Sequence, residues 1–295
     1  MITLGVIGGS GLYQMEGIEY GEWISVDTPF GAPSDAYFVG GLEGVDVVFL
    51  PRHGRGHRIL PSQLNFRANI YGMKKLGVRR LIAVSAVGSL KQEIVPGQMV
   101  IPDQFIDRTR GRIDTFFGRG IVAHVAFADP VCPFLSQALF EATEEQGHEQ
   151  ETDITVHQGG TYICIEGPQF STRAESFLYR SWGADIIGMT NLQEAKLARE
   201  AEICFATLAM ATDYDCWNTE AGDVVIEDVL AVLNKNVETA KRIVHRSTRR
   251  LSPDHVCSCE TAVKDAIITD RSLIPASVKA ELEPIIGKYL EGEVG

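Results

Sequence analysis

The sequence has no excess of positive charge, no long apolar run and too few cysteines for a disulfide framework. Its 295 residues carry 27 Lys and Arg against 39 Asp and Glu, a formal net charge of -12. Nothing in that balance offers a basic stripe to displace counterions from a phosphate backbone, so nucleic acid is not an expected partner. A membrane helix needs about 20 consecutive apolar residues. Runs such as Leu81–Ser89 and Ile203–Met210 have only the length of core strands, so no membrane is expected either. The chain opens on a strand-like run, Ile2–Ile7, with no basic and apolar leader. Six cysteines in a chain this long do not read as a secreted scaffold. Linkers, repeats and low-complexity stretches are missing too. These absences leave one soluble, cytoplasmic domain as the expectation.

What is present is ordinary globular material, 45% hydrophobic and 22% charged. Short runs rich in Val and Ile mark strands at Thr3–Ile7, Val45–Leu50, Leu81–Ser85, Gln98–Ile101, Tyr162–Ile165, Asp185–Ile187 and Ile203–Ala211. Helical patterns lie between them at Gln63–Leu76, Pro133–Gln146, Thr172–Trp182 and Asn191–Ala201. Glu227–Val244 has the clearest helix period, with Val229, Leu230, Leu233, Val237, Ala240 and Val244 on one face. Strands interleaved with helices predict an α/β fold around a mostly parallel sheet covered on both faces. Ligands bind such sheets at the carboxyl ends of the strands.

The residues after each strand therefore matter most. After the first comes Gly8-Gly9-Ser10-Gly11, which reads either as an anion loop or as a tight turn. It completes neither the dinucleotide fingerprint nor the P-loop. After the second comes Pro51-Arg52-His53-Gly54-Arg55-Gly56-His57. Arg52 offers a planar fork for phosphate oxygens and His53 a further donor. The His53/His57 pair lacks any nearby carboxylate or Cys to complete a metal ligand set. Two more strand ends add hydroxyls, Ser85 followed by Ala86, and Thr190, each of which also reads as a cap or turn. Their convergence suits one phosphate ion. The last buried run leads into Thr212-Asp213-Tyr214-Asp215-Cys216-Trp217. Burial there would raise both carboxyl pKa values, so that one could hold a proton and donate it.

Gly8–Gly11, Arg52–Gly54, Ile165–Glu175 and Ala211–Trp217 occur in the order found in the trimeric purine nucleoside phosphorylase family. They most resemble its methylthioadenosine phosphorylases, over residues 3 to 250. The resemblance implies a single domain with a central mixed, largely parallel sheet, a helical tail from about residue 250, and assembly into a homotrimer or a dimer of trimers. It implies phosphate binding by Ser10, Arg52, His53, Ser85, the Ala86 backbone N–H and Thr190. It places Met189 along the ribose, Ile187 in the substrate pocket, Phe170 against the base, Asp213 at purine N7 and Asp215 at the 6-amino group. His124 would reach into a neighbouring subunit's site near the 5′ group.

Two positions bear on substrate choice. Family members that take 6-oxopurines carry Glu where this chain has Ser171 and Asn where it has Asp213. An ionised Asp facing a 6-oxo group sets acceptor against acceptor, so a 6-aminopurine is expected. Members that read a 5′-hydroxyl carry His where Ile226 stands; Ile226, Val229 and Leu230 would suit a methylthio group or simply form the inward face of a helix. The implied reaction is phosphate-dependent cleavage of methylthioadenosine to adenine and 5-methylthioribose 1-phosphate, with neither metal nor organic cofactor. A sibling purine nucleoside or methylthioinosine phosphorylase is the nearest alternative. A histidine phosphatase built on Arg52-His53-Gly54, and a non-catalytic nucleoside-binding module, are remoter ones. Cys257-Ser258-Cys259 resembles a Cys-x-Cys ending that is oxidised in some archaeal relatives; reduced thiols on a tail are the simpler expectation, and His255 alone does not complete a metal site.

Overall fold

Alternation of side chains along buried strands organises the molecule into three layers. The computed structural model describes residues 3–290 apart from Ser10, Tyr13, 150–153, 221–225 and Pro253. The strands are β1 (Thr3–Gly8), β2 (Ile18–Ile24), β3 (Tyr37–Leu42), β4 (Val45–Pro51), β5 (Arg80–Ser89), β6 (Met99–Ile101), β7 (Gln104–Arg108), β8 (Val156–Gln158), β9 (Thr161–Ile165), β10 (Ile186–Gly188) and β11 (Cys204–Asp213). The helices are α1 (Phe66–Lys75), α2 (Pro133–Glu149), α3 (Arg173–Ser181), α4 (Asn191–Glu200), α5 (Ile226–Thr248), α6 (Ala276–Glu281) and α7 (Glu283–Leu290). Among the described residues no helix is long and apolar enough to cross a membrane.

All the strands belong to one mixed sheet, with the path β2-β3-β4-β1-β5-β10-β9-β7 and β11, β6 and β8 branching from β5. The β4–β1–β5–β11 centre is parallel. Leu4, Val6, Val47 and Phe49 point to one face, against α2 and α5; Ile7, Val48 and Leu50 point to the other, against α1 and α4. This is the two-residue period of a strand buried on both sides. The chain beyond residue 250 carries short 3-10 turns before α6 and α7, and Val278, Leu282, Ile285 and Ile286 seal the second face. The α/β architecture is the expected one.

Every strand and helix predicted above is present. Pro61–Gln63 is a 3-10 turn, so α1 starts three residues later than predicted, at Phe66, with Asn65 as its cap. The strands β2, β3, β7 and β8 were not predicted. The β2 and β7 strands are largely exposed, with Glu19, Gly21 and Glu22 interrupting the apolar residues of β2; β3 contains Gly40-Gly41, and β8 has three residues. None has the apolar run that marks the central strands.

Candidate active site

A gap in the sheet builds the site. β1 pairs with β5 only over Arg80–Ala83, and β10 reaches that edge only at Gly88 and Ser89, while β11 occupies the opposite edge. Residues 84–87 therefore border an opening, and Ala86 is the one exposed residue of β5. A cavity of about 440 Å³ lies there.

Hydrogen-bond donors form part of the lining of the cavity. Gly9, Arg52, His53, Ser85, Ala86 and Thr190 line it; Ser10 falls outside the described residues. Thr190 is the N-cap of α4, yet its hydroxyl makes no capping bond. The positive end of the α4 dipole thus meets the cavity beside a hydroxyl available to a ligand.

Arg52 is buried, and four of its five N–H groups are engaged. Nε and Nη2 grip both oxygens of Glu194 at 2.5 and 2.9 Å, Nη1 donates to Val84 O and Nη2 to Ile7 O. One Nη1 hydrogen is left for a ligand, and the net charge of the pair is small. His53 stacks on His57 at 4.3 Å between ring centroids. Its Nδ1 lies 2.8 Å from Ile59 O. A carbonyl only accepts, so Nδ1 carries the hydrogen and Nε2 of the neutral ring is an acceptor. Burial, with the Arg52 and His57 charges adding, lowers the His53 pKa to about 4.

Apolar side chains and a carboxyl pair, Asp213 and Asp215, line the same cavity. Asp213 accepts from Thr212 Oγ1 at 2.7 Å and from the Asp215 backbone N–H at 2.8 Å. Asp215 sits at φ 49°, a left-handed conformation uncommon for a residue with a Cβ. Burial raises both carboxyl pKa values, and the Asp213 charge adds to the rise at Asp215. Asp215 Oδ2 and Ser171 Oγ are buried without a hydrogen-bond partner among the described residues. Such groups cost roughly 1–3 kcal/mol each unless a ligand pairs them. A Cβ at Gly88 would stand 3.0 Å from both Asp213 Oδ1 and Ile187 Cγ2, so the absent side chain gives the pair its room.

Ile187, Met189 and Phe170 also line the cavity, Phe170 about half exposed. A Cβ at Gly167 would meet Met189 Sδ at 2.5 Å, and Gly167 has φ 65°. Only glycine fits that approach. Ile226 opens α5, but the side chains of Ile226, Val229 and Leu230 lie outside the described residues. Val237, further along α5, does line the cavity. His124 does not: it is exposed and borders a separate cavity of about 460 Å³ with Phe117, Val122 and Glu200.

The phosphorylase superfamily matches residues 3–249. The chain belongs to that superfamily. It is 59% identical to an S-methyl-5′-thioadenosine phosphorylase of Geobacter sulfurreducens, over 98% of this chain and 99% of that protein. A protein of the same name from Koribacter versatilis is 56% identical, over 97% and 96%. Among solved structures, a methylthioadenosine phosphorylase sourced from an Antarctic soil metagenomic library superposes with a TM-score of 0.91 at 46% identity, covering 96% of this chain and 98% of that one. The Schistosoma mansoni methylthioadenosine phosphorylase in complex with adenine gives 0.78 at 33% identity, covering 97% and 98%.

Two supporting residues went unnoticed in the sequence. Glu194 looked like one more polar position in a helix, and nothing local marks it as the partner of an arginine 142 residues away. Arg112, also buried, donates to Met189 O at 2.6 Å and to Glu166 O at 2.5 Å, tying the ends of β9 and β10 together behind the cavity. Its sequence, Arg110-Gly111-Arg112, resembles any solvated turn.

Proposed function

We propose that the protein cleaves 5′-methylthioadenosine with inorganic phosphate, giving adenine and 5-methylthioribose 1-phosphate. The observation that carries this reading is the pairing, in one cavity, of hydrogen-bond donors at the α4 N-terminus with a buried carboxyl pair whose Asp215 Oδ2 lacks a geometrically formed hydrogen bond among the described residues. The names of the relatives, at up to 59% identity over nearly the whole chain, support the same substrate. Phosphate would sit among Ser10, Arg52, His53, Ser85, Ala86 N–H and Thr190. With His53 Nε2 an acceptor, a phosphate carrying one P–OH would donate that hydrogen to it.

Attack on C1′ proceeds as the glycosidic bond stretches, and the phosphate charge stabilises the oxocarbenium-like sugar. Asp213, its pKa raised by burial, supplies or shares a proton at purine N7, a contribution of about 10²–10⁴ in rate. Asp215 accepts from the 6-amino group, and Phe170 and Ser171 flank the base. Ile187 and Met189 hold the ribose. The start of α5, with Ile226, Val229 and Leu230, covers the 5′ methylthio group, and His124 of a neighbouring subunit completes that pocket in a cytoplasmic homotrimer or dimer of trimers. No cofactor takes part in the reaction. An apolar 5′ pocket separates methylthio from hydroxyl only weakly, so adenosine is a poorer second substrate.

The test is a panel of methylthioadenosine, adenosine, methylthioinosine and inosine. Methylthioadenosine should give the highest kcat/KM and inosine the lowest. A preference for either 6-oxo nucleoside would overturn the reading in favour of a sibling phosphorylase.

A further inference from the structure

The strongest feature outside the active site is a cluster of four cysteines. Cys132 immediately precedes α2, Cys204 opens β11, and Cys257 and Cys259 bracket the start of a 3-10 turn, Ser258–Thr261. All four are buried, and their sulfurs lie within 4.8 Å of one another; Cys132 Sγ and Cys257 Sγ are 3.6 Å apart. Cys257 and Cys259 are therefore not thiols on a solvated tail. They are part of the core face packed under α2 and α5. Local spacing shows no metal site here, because Cys132 and Cys204 stand 125 and 53 residues before Cys257 in the chain.

We propose that these four cysteines bind one zinc(II) ion. Tetrahedral zinc with Zn–S bonds of about 2.3 Å places its sulfurs about 3.8 Å apart, within the range of this cluster. Four soft sulfur donors with no oxygen or open position suit a closed structural site. On binding, four thiols lose four protons and no electrons move, leaving a centre of net charge -2. A buried cation lies on the neighbouring strand, β5. Arg80 is the ladder partner of Cys204, is 2% exposed, stacks over Phe134 next to α2's first turn, and its Nε has no partner among the described residues. Its Nη2 already bonds to Ser252 O at 2.8 Å. The metal would fasten the segment after α5 to the central strands, far in role from the nucleoside chemistry.

Zinc content is measured on the full-length protein purified in reducing buffer without chelator. The expected result is one zinc per chain, and cobalt(II) exchange should give the visible and charge-transfer bands of a tetrahedral thiolate site. Cys259→Ser should abolish those bands, whereas Cys164→Ser, at a buried cysteine outside the cluster, should keep them. If Cys259→Ser does not fold, the cobalt spectrum of the unaltered protein still decides. Absence of metal with six titratable thiols, a mass four hydrogens short from two disulfides, or stoichiometric iron in place of zinc would each overturn the proposal.

Discussion

Glu194 clamps Arg52 with two hydrogen bonds, at 2.5 and 2.9 Å, inside the wall of the candidate phosphate site. The only guanidinium lining the cavity among the described residues is thus nearly neutralised before any anion arrives. Polarity toward the ligand then rests on one remaining Arg52 Nη1 hydrogen and on neutral groups: the α4 N-terminus, hydroxyls and backbone N–H. Breaking one partner of a buried pair costs about 3–5 kcal/mol because the other charge is left uncompensated. Glu194→Gln should therefore lower the Tm in chloride buffer. Saturating phosphate, which would then face a less neutralised arginine, should raise the variant's Tm more than it raises the parent's. Equal phosphate-induced shifts would show that Glu194 does not set the charge at the site.

The neutral state of His53 is directly testable. Its folded pKa of about 4 lies below the ordinary 6.5, so the unfolded chain takes up the proton first. Stability from this group is complete above pH 6.5 and is lost as pH falls toward 4. Histidine NMR resonances should show the His53 ring neutral from pH 8 to 5, with the hydrogen on Nδ1. Titration near 6.5 would contradict the burial and the Ile59 contact.

Asp213→Asn removes the acid proposed to act at N7 while preserving shape. The kcat/KM for methylthioadenosine should fall by about 10²–10⁴-fold, with the relative rate on methylthioinosine rising. An unchanged preference would remove Asp213 from the base-recognition role.

The fold was readable in the sequence wherever burial on both faces wrote a continuous apolar run, as in β5 and β11. The exposed edge strand β2 escaped because Glu19, Gly21 and Glu22 break its apolar residues into no continuous run. The donor set of the site was legible because each residue follows a strand, and strand ends converge in a parallel sheet. What could not be read were pairings across distance. Arg52 looks like a free phosphate ligand until Glu194 is seen beneath it. Cys257 looks like a tail thiol until Cys132 and Cys204 appear beside it.

Glu200 provides a pH test away from the chemistry. It accepts from Thr115 Oγ1 and the Phe116 N–H, both at 2.7 Å, and burial raises its pKa to about 7. The folded state therefore holds this proton more tightly than the unfolded chain, whose carboxyl has the ordinary value of 4.5. As pH rises from 4.5 through 7 the group's contribution to stability falls, by on the order of 3 kcal/mol. Denaturant unfolding of Glu200→Gln and the parent should diverge across that window, the variant gaining relative stability as pH rises. Parallel curves would place the Glu200 pKa near its unfolded value.

The central claim is that phosphate itself takes the ribosyl group. The most direct measurement incubates methylthioadenosine with the enzyme, with and without phosphate, and follows adenine by absorbance and the sugar product by phosphorus NMR. Adenine and 5-methylthioribose 1-phosphate should appear in equal amounts, and neither without phosphate. Adenine released at the same rate without phosphate, with free methylthioribose as the product, would identify a hydrolase and contradict the account.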